Sequence, residues 1–228
     1  MSLNLDRRAQ AATNVMAVVP GAAGAFRRRA VLAVGGYSTD TLVEDADLTV
    51  MLLADGWKIP YEPLAIAYTE APQTLRDVVR QRRRWAFGTV EVLLKHRHRL
   101  LARKGGRIGS IGLPWMLITQ VVLPLVGPAS EVFLLYLLMV RNLGEAGGIV
   151  AIAVISDIVI SAFIVLANRE PLRMIAYVPL LRLVWRPLQL YAIAASTTRW
   201  LSGQSDGWRK VTRYNTVDAR IGAALPQQ

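Results

Sequence analysis

The chain has no cysteine, so a disulfide, a thiolate metal site and a cysteine nucleophile are all excluded. It has only two histidines, His96 and His98, both in the cationic run Lys-His-Arg-His-Arg. A metal site there needs two ligands on one face with carboxylates beside them. The neighbours are cations instead, so the run reads as a solvated face. Acidic residues are scarce as well: 16 Asp and Glu stand against 27 Lys and Arg, a net charge of +11. No nucleic-acid motif accompanies this charge, which turns the expectation from DNA or RNA toward anionic lipid or phosphorylated substrates. The N-terminus, Met-Ser-Leu-Asn-Leu-Asp-Arg-Arg, lacks the apolar core of a signal peptide. Internal repeats and low-complexity linkers are also missing.

Apolar sequence is plentiful. The chain is 53% hydrophobic with a mean hydropathy of +0.33, too apolar for an ordinary soluble domain of 228 residues. Three apolar blocks carry the excess, at 111–140, 149–167 and 174–198. Lys95, Arg97, Arg99, Arg103, Lys104 and Arg107 lie just before the first block, where a cytoplasmic juxtamembrane segment is expected. The tail is basic too (Arg199, Arg209, Lys210, Arg213, Arg220), so both flanks favour the cytoplasm and require an even number of crossings. Two arrangements meet that requirement. Either the first block folds into a hairpin at Gly127-Pro128, or one block lies along the interface. Asp157 falls inside the second block, and Arg182 and Arg186 share a helical face in the third. An intramembrane carboxylate is costly, so Asp157 either pairs with one of these arginines or is protonated while they snorkel.

The first hundred residues carry an αβ pattern. Val15 to Val19 reads as a strand ended by Pro20-Gly21, and the small residues Gly21 to Ala25 suit close backbone approach. Arg27 to Val34 reads as a short helix stopped by Gly35-Gly36, and Asp45 to Ala54 as another closed by Gly56. Trp57 to Tyr61 and Ala65 to Tyr68 read as short strands. Thr74 with Asp77 forms a capping box opening a helix through Trp85 to about Leu101.

Two clusters could carry chemistry. Glu44, Asp45 and Asp47 gather at a helix start, where carboxylates commonly just satisfy free N–H groups and the helix dipole. One of them turned into a cleft would instead be a general base. Asp45-Ala46-Asp47 is also an Asp-x-Asp, a short pattern able to hold a divalent metal. On the next helix, Gln81, Arg84, Trp85 and Gly88 share one face. The bland reading is a cationic helix with one buried Trp. The chemical reading is a rigid cationic fork for phosphate, a flat surface for a sugar ring and an amide for hydroxyls.

These residues together give a specific resemblance. Leu5-Asp6-Arg7-Arg8, Val18-Val19-Pro20-Gly21, Gly24-Ala25-Phe26-Arg27-Arg28, Gly35-Gly36-Tyr37, Val43-Glu44-Asp45-Ala46-Asp47-Leu48-Thr49 and Gln81-Arg82-Arg83-Arg84-Trp85 occur in that order. The run resembles the second half of a processive family 2 glycosyltransferase, the group of cellulose, hyaluronan and poly-N-acetylglucosamine synthases. The likeness covers most of residues 5–100 and extends weakly to Asp206-Gly207-Trp208-Arg209. It implies an α/β partial glycosyltransferase domain, an incomplete nucleotide-sugar transferase fold, over residues 1–104. An α-helical transmembrane bundle would follow over 105–200, and a basic cytoplasmic tail over 201–228.

The resemblance also implies roles. The family's Thr-Glu-Asp motif places its base on the Asp, here Asp45, with Val43 where the family has Thr. The Gln-x-x-Arg-Trp motif matches Gln81, Arg84 and Trp85. Gln81 and Arg84 would hold the donor diphosphate, and Trp85 with Glu44 the acceptor. The nucleotide-binding half, with its metal-binding Asp-x-Asp, would precede residue 1. Mg or Mn is therefore expected of the complete enzyme, with ligands outside this chain. The implied partners are a nucleotide-sugar donor, a glycan acceptor, the lipid bilayer and a missing half or other synthase subunit, without nucleic acid. The implied location is multi-pass in the cell membrane, with the catalytic segment cytoplasmic. The implied reaction is inverting sugar transfer to a growing polysaccharide. As a hexosyl or N-acetylhexosaminyl transferase without its donor-binding half, the chain by itself is expected to be inactive; the alternative is an inactive remnant or accessory membrane subunit of such a synthase.

Overall fold

The computed structural model describes residues 3–203 except 22, 66, 68, 103–104, 141–142 and 169, with backbone alone at 3, 4, 143, 145 and 146. Arg103, Lys104, the Asp206-Gly207-Trp208-Arg209 segment and the basic tail beyond 203 lie outside these residues.

Helix α1 (Leu3–Thr13) ends where Asn14 adopts φ 56, a left-handed turn that Asn tolerates better than most residues. Helix α2 (Arg28–Ala33) stops at Gly35 and Gly36, whose φ values of 89 and 84 admit glycine with little strain. Helix α3 (Glu44–Ala54) collects Glu44, Asp45 and Asp47 in its first turn and is closed by Gly56. Helix α4 (Leu75–Lys95) opens on the expected capping box. The Asp77 N–H donates to Thr74 Oγ1 at 3.1 Å, and the Thr74 hydroxyl donates to Asp77 Oδ2 at 2.6 Å. The expected run to Leu101 is shorter, since a single tight turn, Arg97–Arg99, follows α4.

The expected strands do not form among the described residues. Val15 to Val19 and Trp57 to Tyr61 are irregular, with a bend at Ala17, and side chains take several of the backbone bonds that a neighbouring strand would need. Ala17 N–H donates to Gln10 Oε1 at 2.8 Å, and Val19 N–H to Thr49 Oγ1 at 3.0 Å. The Asn14 amide spans the other segment, donating to the Trp57 carbonyl at 3.1 Å and accepting the Ile59 N–H at 3.0 Å. Gln10, Thr49 and Asn14 thus act as surrogate strands, which alternation of apolar residues cannot reveal. Of Ala65 to Tyr68, residues 66 and 68 lie outside the described set. Among the described residues the segment is built of helices and irregular connections, without the strands of the expected α/β domain. Its core gathers Met16 and Ala17, Val43, Ala46, Val50 and Leu53, Val92, and Ile108, Leu113 and Met116. The beginning of the first apolar helix is thus part of the same core as α3.

That helix, α5 (Ile108–Val140), is continuous over 33 residues, so the hairpin at Gly127-Pro128 does not occur. A Pro in a helix leaves the carbonyl four residues back without its usual donor. The chain answers with wide π turns. Ile108–Gly112 ends two residues before Pro114, Ile118–Val122 two before Pro124, and Leu181–Trp185 two before Pro187. In each, the residue before the Pro donates to the carbonyl five back, Leu113 to Ile108, Leu123 to Ile118 and Arg186 to Leu181, so the helix widens just ahead of the missing donor. Helix α6 (Leu143–Ala167) follows, then a tight helical segment Leu172–Tyr177, and finally α7 (Arg186–Leu201). Ile108–Val140 and Gly147–Ala167 are long and apolar enough to cross a bilayer. Their surfaces present exposed side chains such as Val132, Ile152 and Phe163.

Charges inside the apolar helices are paired. Arg182 Nε donates to both Glu131 oxygens at 2.8 Å, and Arg182 Nη1 lies 3.2 Å from Asp157 Oδ2. Arg186 Nη1 donates to Glu131 Oε1 at 2.6 Å, and its Nη2 lies 3.2 Å from Asp157 Oδ1. The pairing reading of Asp157 holds, with Glu131 as a fourth member. Helix α7 also lies along α4. The buried Ser196 hydroxyl donates to the Arg83 carbonyl at 3.0 Å, so the Gln-Arg-Arg-Arg-Trp helix is seated on the third apolar block.

Candidate active site

The three carboxylates at the start of α3 have three different surroundings. Asp47 is fully buried. Its Oδ1 lies 2.6 Å from His96 Nε2, and its Oδ2 accepts from Lys95 Nζ at 2.7 Å. Lys95 also donates to Asp40 at 2.8 Å and to Ser38 at 3.1 Å. Burial alone would push the Asp47 carboxyl up, but the hydrogen bonds and charges of His96 and Lys95 hold it below the ordinary value. Burial likewise opposes the Lys95 charge, and the two aspartates outweigh it and raise the ammonium. His96 is therefore buried and anchored, contrary to the solvated face expected of Lys-His-Arg-His-Arg. His98 is exposed, as expected. No pattern in that cationic run marks His96, because its partner lies on another helix.

Asp45 is half-buried and aimed by backbone. Gly21 N–H donates to its Oδ2 at 2.9 Å, and Ala46 N–H to its Oδ1 at 2.9 Å. A Cβ at Gly21 would stand 3.4 Å from that Oδ2, so this glycine permits the close approach that its small-residue setting foreshadows. Each oxygen keeps lone-pair capacity for a proton. Glu44 is half-buried beside it.

Helix α4 meets α3 at that helix's N-terminus. A Cβ at Gly88 would lie 2.7 Å from both Val43 methyl carbons, so glycine is what lets the motif face press against the residue preceding Glu44. One turn further, Glu91 Oε2 accepts the Leu42 N–H at 2.8 Å. Burial pushes the Glu91 carboxyl up; the Leu42 bond opposes this, and the nearby Asp40 charge adds to it. The Lys95 and His96 contacts with Asp47 complete the seat. Gln81, Arg84 and Trp85 continue the Gly88 face away from this contact, reaching about 10 Å along the axis at Gln81.

The structure brings the base candidate and the motif helix together through Val43 and Asp47. No direct bond joins Asp45 to Gln81, Arg84 or Trp85 among the described residues. The Gln81 and Arg84 side chains make no hydrogen bond or ion pair among the described residues, and Arg84 Nε is buried without a partner. A guanidinium without a carboxylate partner retains the chemistry to take an anion through its remaining N–H groups. Trp85 is 41% exposed, leaving much of its ring available to a ligand. Nothing in this geometry fits a divalent metal. Both Asp47 oxygens are engaged by Lys95 and His96, and no three suitable ligands converge among the described residues.

Comparison with known proteins places these features. A family model described as "Glycosyl transferase family group 2" matches residues 2–184. The poly-beta-1,6-N-acetyl-D-glucosamine synthase of Staphylococcus aureus (strain COL) is 37% identical over 89 residues, 39% of this chain and 22% of that protein. The probable glycosyltransferase YdaM of Bacillus subtilis (strain 168) is 36% identical over 93 residues, 41% of this chain and 22% of that protein. The matched stretch thus spans little more than a fifth of the length of these relatives. No solved structure matches the chain.

Proposed function

The chain belongs to glycosyl transferase family group 2, and from that membership we propose that it carries the base and acceptor side of a membrane-embedded polysaccharide synthase. Asp45 takes the proton of an acceptor hydroxyl at the end of the growing glycan. The freed oxygen attacks the anomeric carbon of a nucleotide-diphosphate sugar from the face opposite the leaving group. The new glycosidic C–O bond forms as the anomeric C–O–phosphate bond breaks, and the diphosphate departs with the electron pair. This inverts the anomeric centre. Arg84 and Gln81 meet the charge that grows on the diphosphate, where a desolvated cation acts most strongly. Trp85 offers its ring to the acceptor sugar, with Glu44 at its side. The donor's nucleotide is held by groups other than those described here. The observation that carries this reading is Arg84, a half-buried guanidinium without a carboxylate, on a helix seated through Gly88 against Val43.

In this reading α5 and α6 cross the bilayer. Two crossings return the chain to its starting side, which fits cations before α5 and after α7. The paired charges of Glu131, Asp157, Arg182 and Arg186 lower the cost of placing them among apolar helices. The donated sugar is an N-acetylhexosamine, by analogy with the Staphylococcus aureus synthase.

The test is transfer of labelled N-acetylglucosamine from its uridine diphosphate ester into polymer by membranes carrying the full chain together with a donor-binding glycosyltransferase half supplied on a second chain. Asp45→Asn abolishes transfer and leaves membrane insertion unchanged. Retained transfer in that variant refutes the base assignment. If the unaltered chain transfers no sugar even with that half supplied, the accessory or inactive reading gains instead.

A further inference from the structure

The motif Gln81-Arg82-Arg83-Arg84-Trp85 holds three consecutive arginines, and the structure gives two of them different surroundings. Successive residues of a helix are about 100° apart, so Arg82 and Arg84 point to different sides. Arg84 lies on the motif face without a partner. Arg82 lies three residues before Trp85, on the side where their side chains meet. Its Cζ stands 4.5 Å from the centroid of the Trp85 ring and 4.5 Å from that of Trp185, over both rings. Both distances are well within the range of cation–π attraction. No carboxylate pairs with Arg82 among the described residues, and its Nε is buried without a partner. Burial pushes its pKa down, so this cation has left water for the faces of two indoles.

Trp185 comes from a distant part of the chain. It ends the π turn Leu181–Trp185, just before α7. The bond from Ser196 to the Arg83 carbonyl fixes α7 on α4 independently of either ring. The place of Trp185 is therefore set by the helix frame, and Arg82 passes that place on to Trp85.

We propose that Arg82 is a positioning residue, holding the acceptor-facing ring of Trp85 through a guanidinium shared with Trp185. The inference rests on the reading of Trp85 as an acceptor platform. A ring held in one rotamer loses less freedom when a sugar stacks on it than a ring free to turn. Lysine at 82 would keep the charge but lose the plane that lies over two rings. The division of labour follows: Arg84 is left for an anion and Arg82 is spent on geometry.

The experiment uses the full chain labelled with 5-fluorotryptophan in detergent micelles. Its six tryptophans are resolved by fluorine NMR. Arg82→Gln and Arg82→Lys shift the Trp85 and Trp185 resonances together. The Trp57 resonance, whose ring faces Arg29 at 5.6 Å, stays in place as the control. A Trp85 resonance unmoved by both variants overturns the proposal. Arg82→Lys serves as the reporter if Arg82→Gln loses helical signal in circular dichroism. A short β-1,6-linked N-acetylglucosamine oligomer is then titrated and followed at Trp85. Its Kd rises about fivefold to tenfold in Arg82→Gln, and Trp185→Phe, which keeps a ring, stays near the unaltered value. An unchanged Kd in Arg82→Gln sinks the positioning role and leaves the acceptor reading intact. No response of Trp85 to the oligomer in the unaltered chain sinks the acceptor reading, and the positioning role with it.

Discussion

Two groups of charges hold this molecule together, one between α3 and α4 and one among the apolar helices. In the first, the single carboxylate of Asp47 faces Lys95 and His96, with no exposure of its own side chain. In the second, two carboxylates face two guanidiniums, and Glu131 and Asp157 each keep 21% exposure. In the first, the Asp47 carboxylate is buried beneath a part-exposed Lys95 and is the carboxylate that His96 meets. The second balances two carboxylates against two guanidiniums among apolar helices and shares each anion between two cations. Loss of a member is therefore felt differently. In the first group Lys95 could fall back only on the exposed Asp40 and His96 on no carboxylate among the described residues, whereas in the second both arginines keep a second, part-buried anion.

The largest effect that would break this contrast is expected at Asp47. Asp47→Ala strands the buried His96 and leaves Lys95 with Asp40 alone, costing about 3–5 kcal/mol. Chemical denaturation of the full chain in detergent reads it. A loss below about 1 kcal/mol would place Asp47 among ordinary positions. A smaller loss, about 2–3 kcal/mol, is expected for Glu131→Gln, because Asp157 still faces both arginines. Thermal unfolding in micelles measures it, and a loss matching that of Asp47→Ala would erase the distinction. The smallest effect is that of pH. The Asp47 carboxyl is held below its ordinary value, so its stabilisation is present above about pH 4 and is lost as pH falls through the folded value. Lys95 is raised, so its share is complete below about pH 10 and is lost only as pH rises through its folded value. Acid should thus loosen α3 from α4, seen as hydrogen exchange at Leu48 and Val50. Protection that persists there to about pH 2 would contradict the depressed carboxyl.

The two groups also differ in how visible they are in the sequence. Asp157 stands out because a carboxylate in an apolar run demands a partner, and Arg182 and Arg186 stand out for the same reason. Asp47, Lys95 and His96 sit among other polar residues, where nothing distinguishes a buried cation from a solvated one. Helix ends were legible for a related reason. Gly35, Gly36, Gly56 and the Thr74–Asp77 box act within a few residues of where they stand. The strands were misread because Val15 to Val19 is apolar for a core that uses Gln10 and Thr49, not a neighbouring strand, to satisfy it. The hairpin at Gly127-Pro128, one of the two arrangements that the basic flanks allow, does not form, because Pro128 is carried inside a continuous helix.

Local pattern alone marks the apolar lengths and the helix caps, since each depends on short-range spacing, and the resemblance offers Asp45, Gln81, Arg84 and Trp85 as candidates. Packing decided the rest. It set Gly21 against Asp45, Gly88 against Val43, His96 on Asp47, and Arg82 over the rings of Trp85 and Trp185. Those contacts join residues far apart in the chain. Their energies come from burial and shared charge, which exist only once the helices have met.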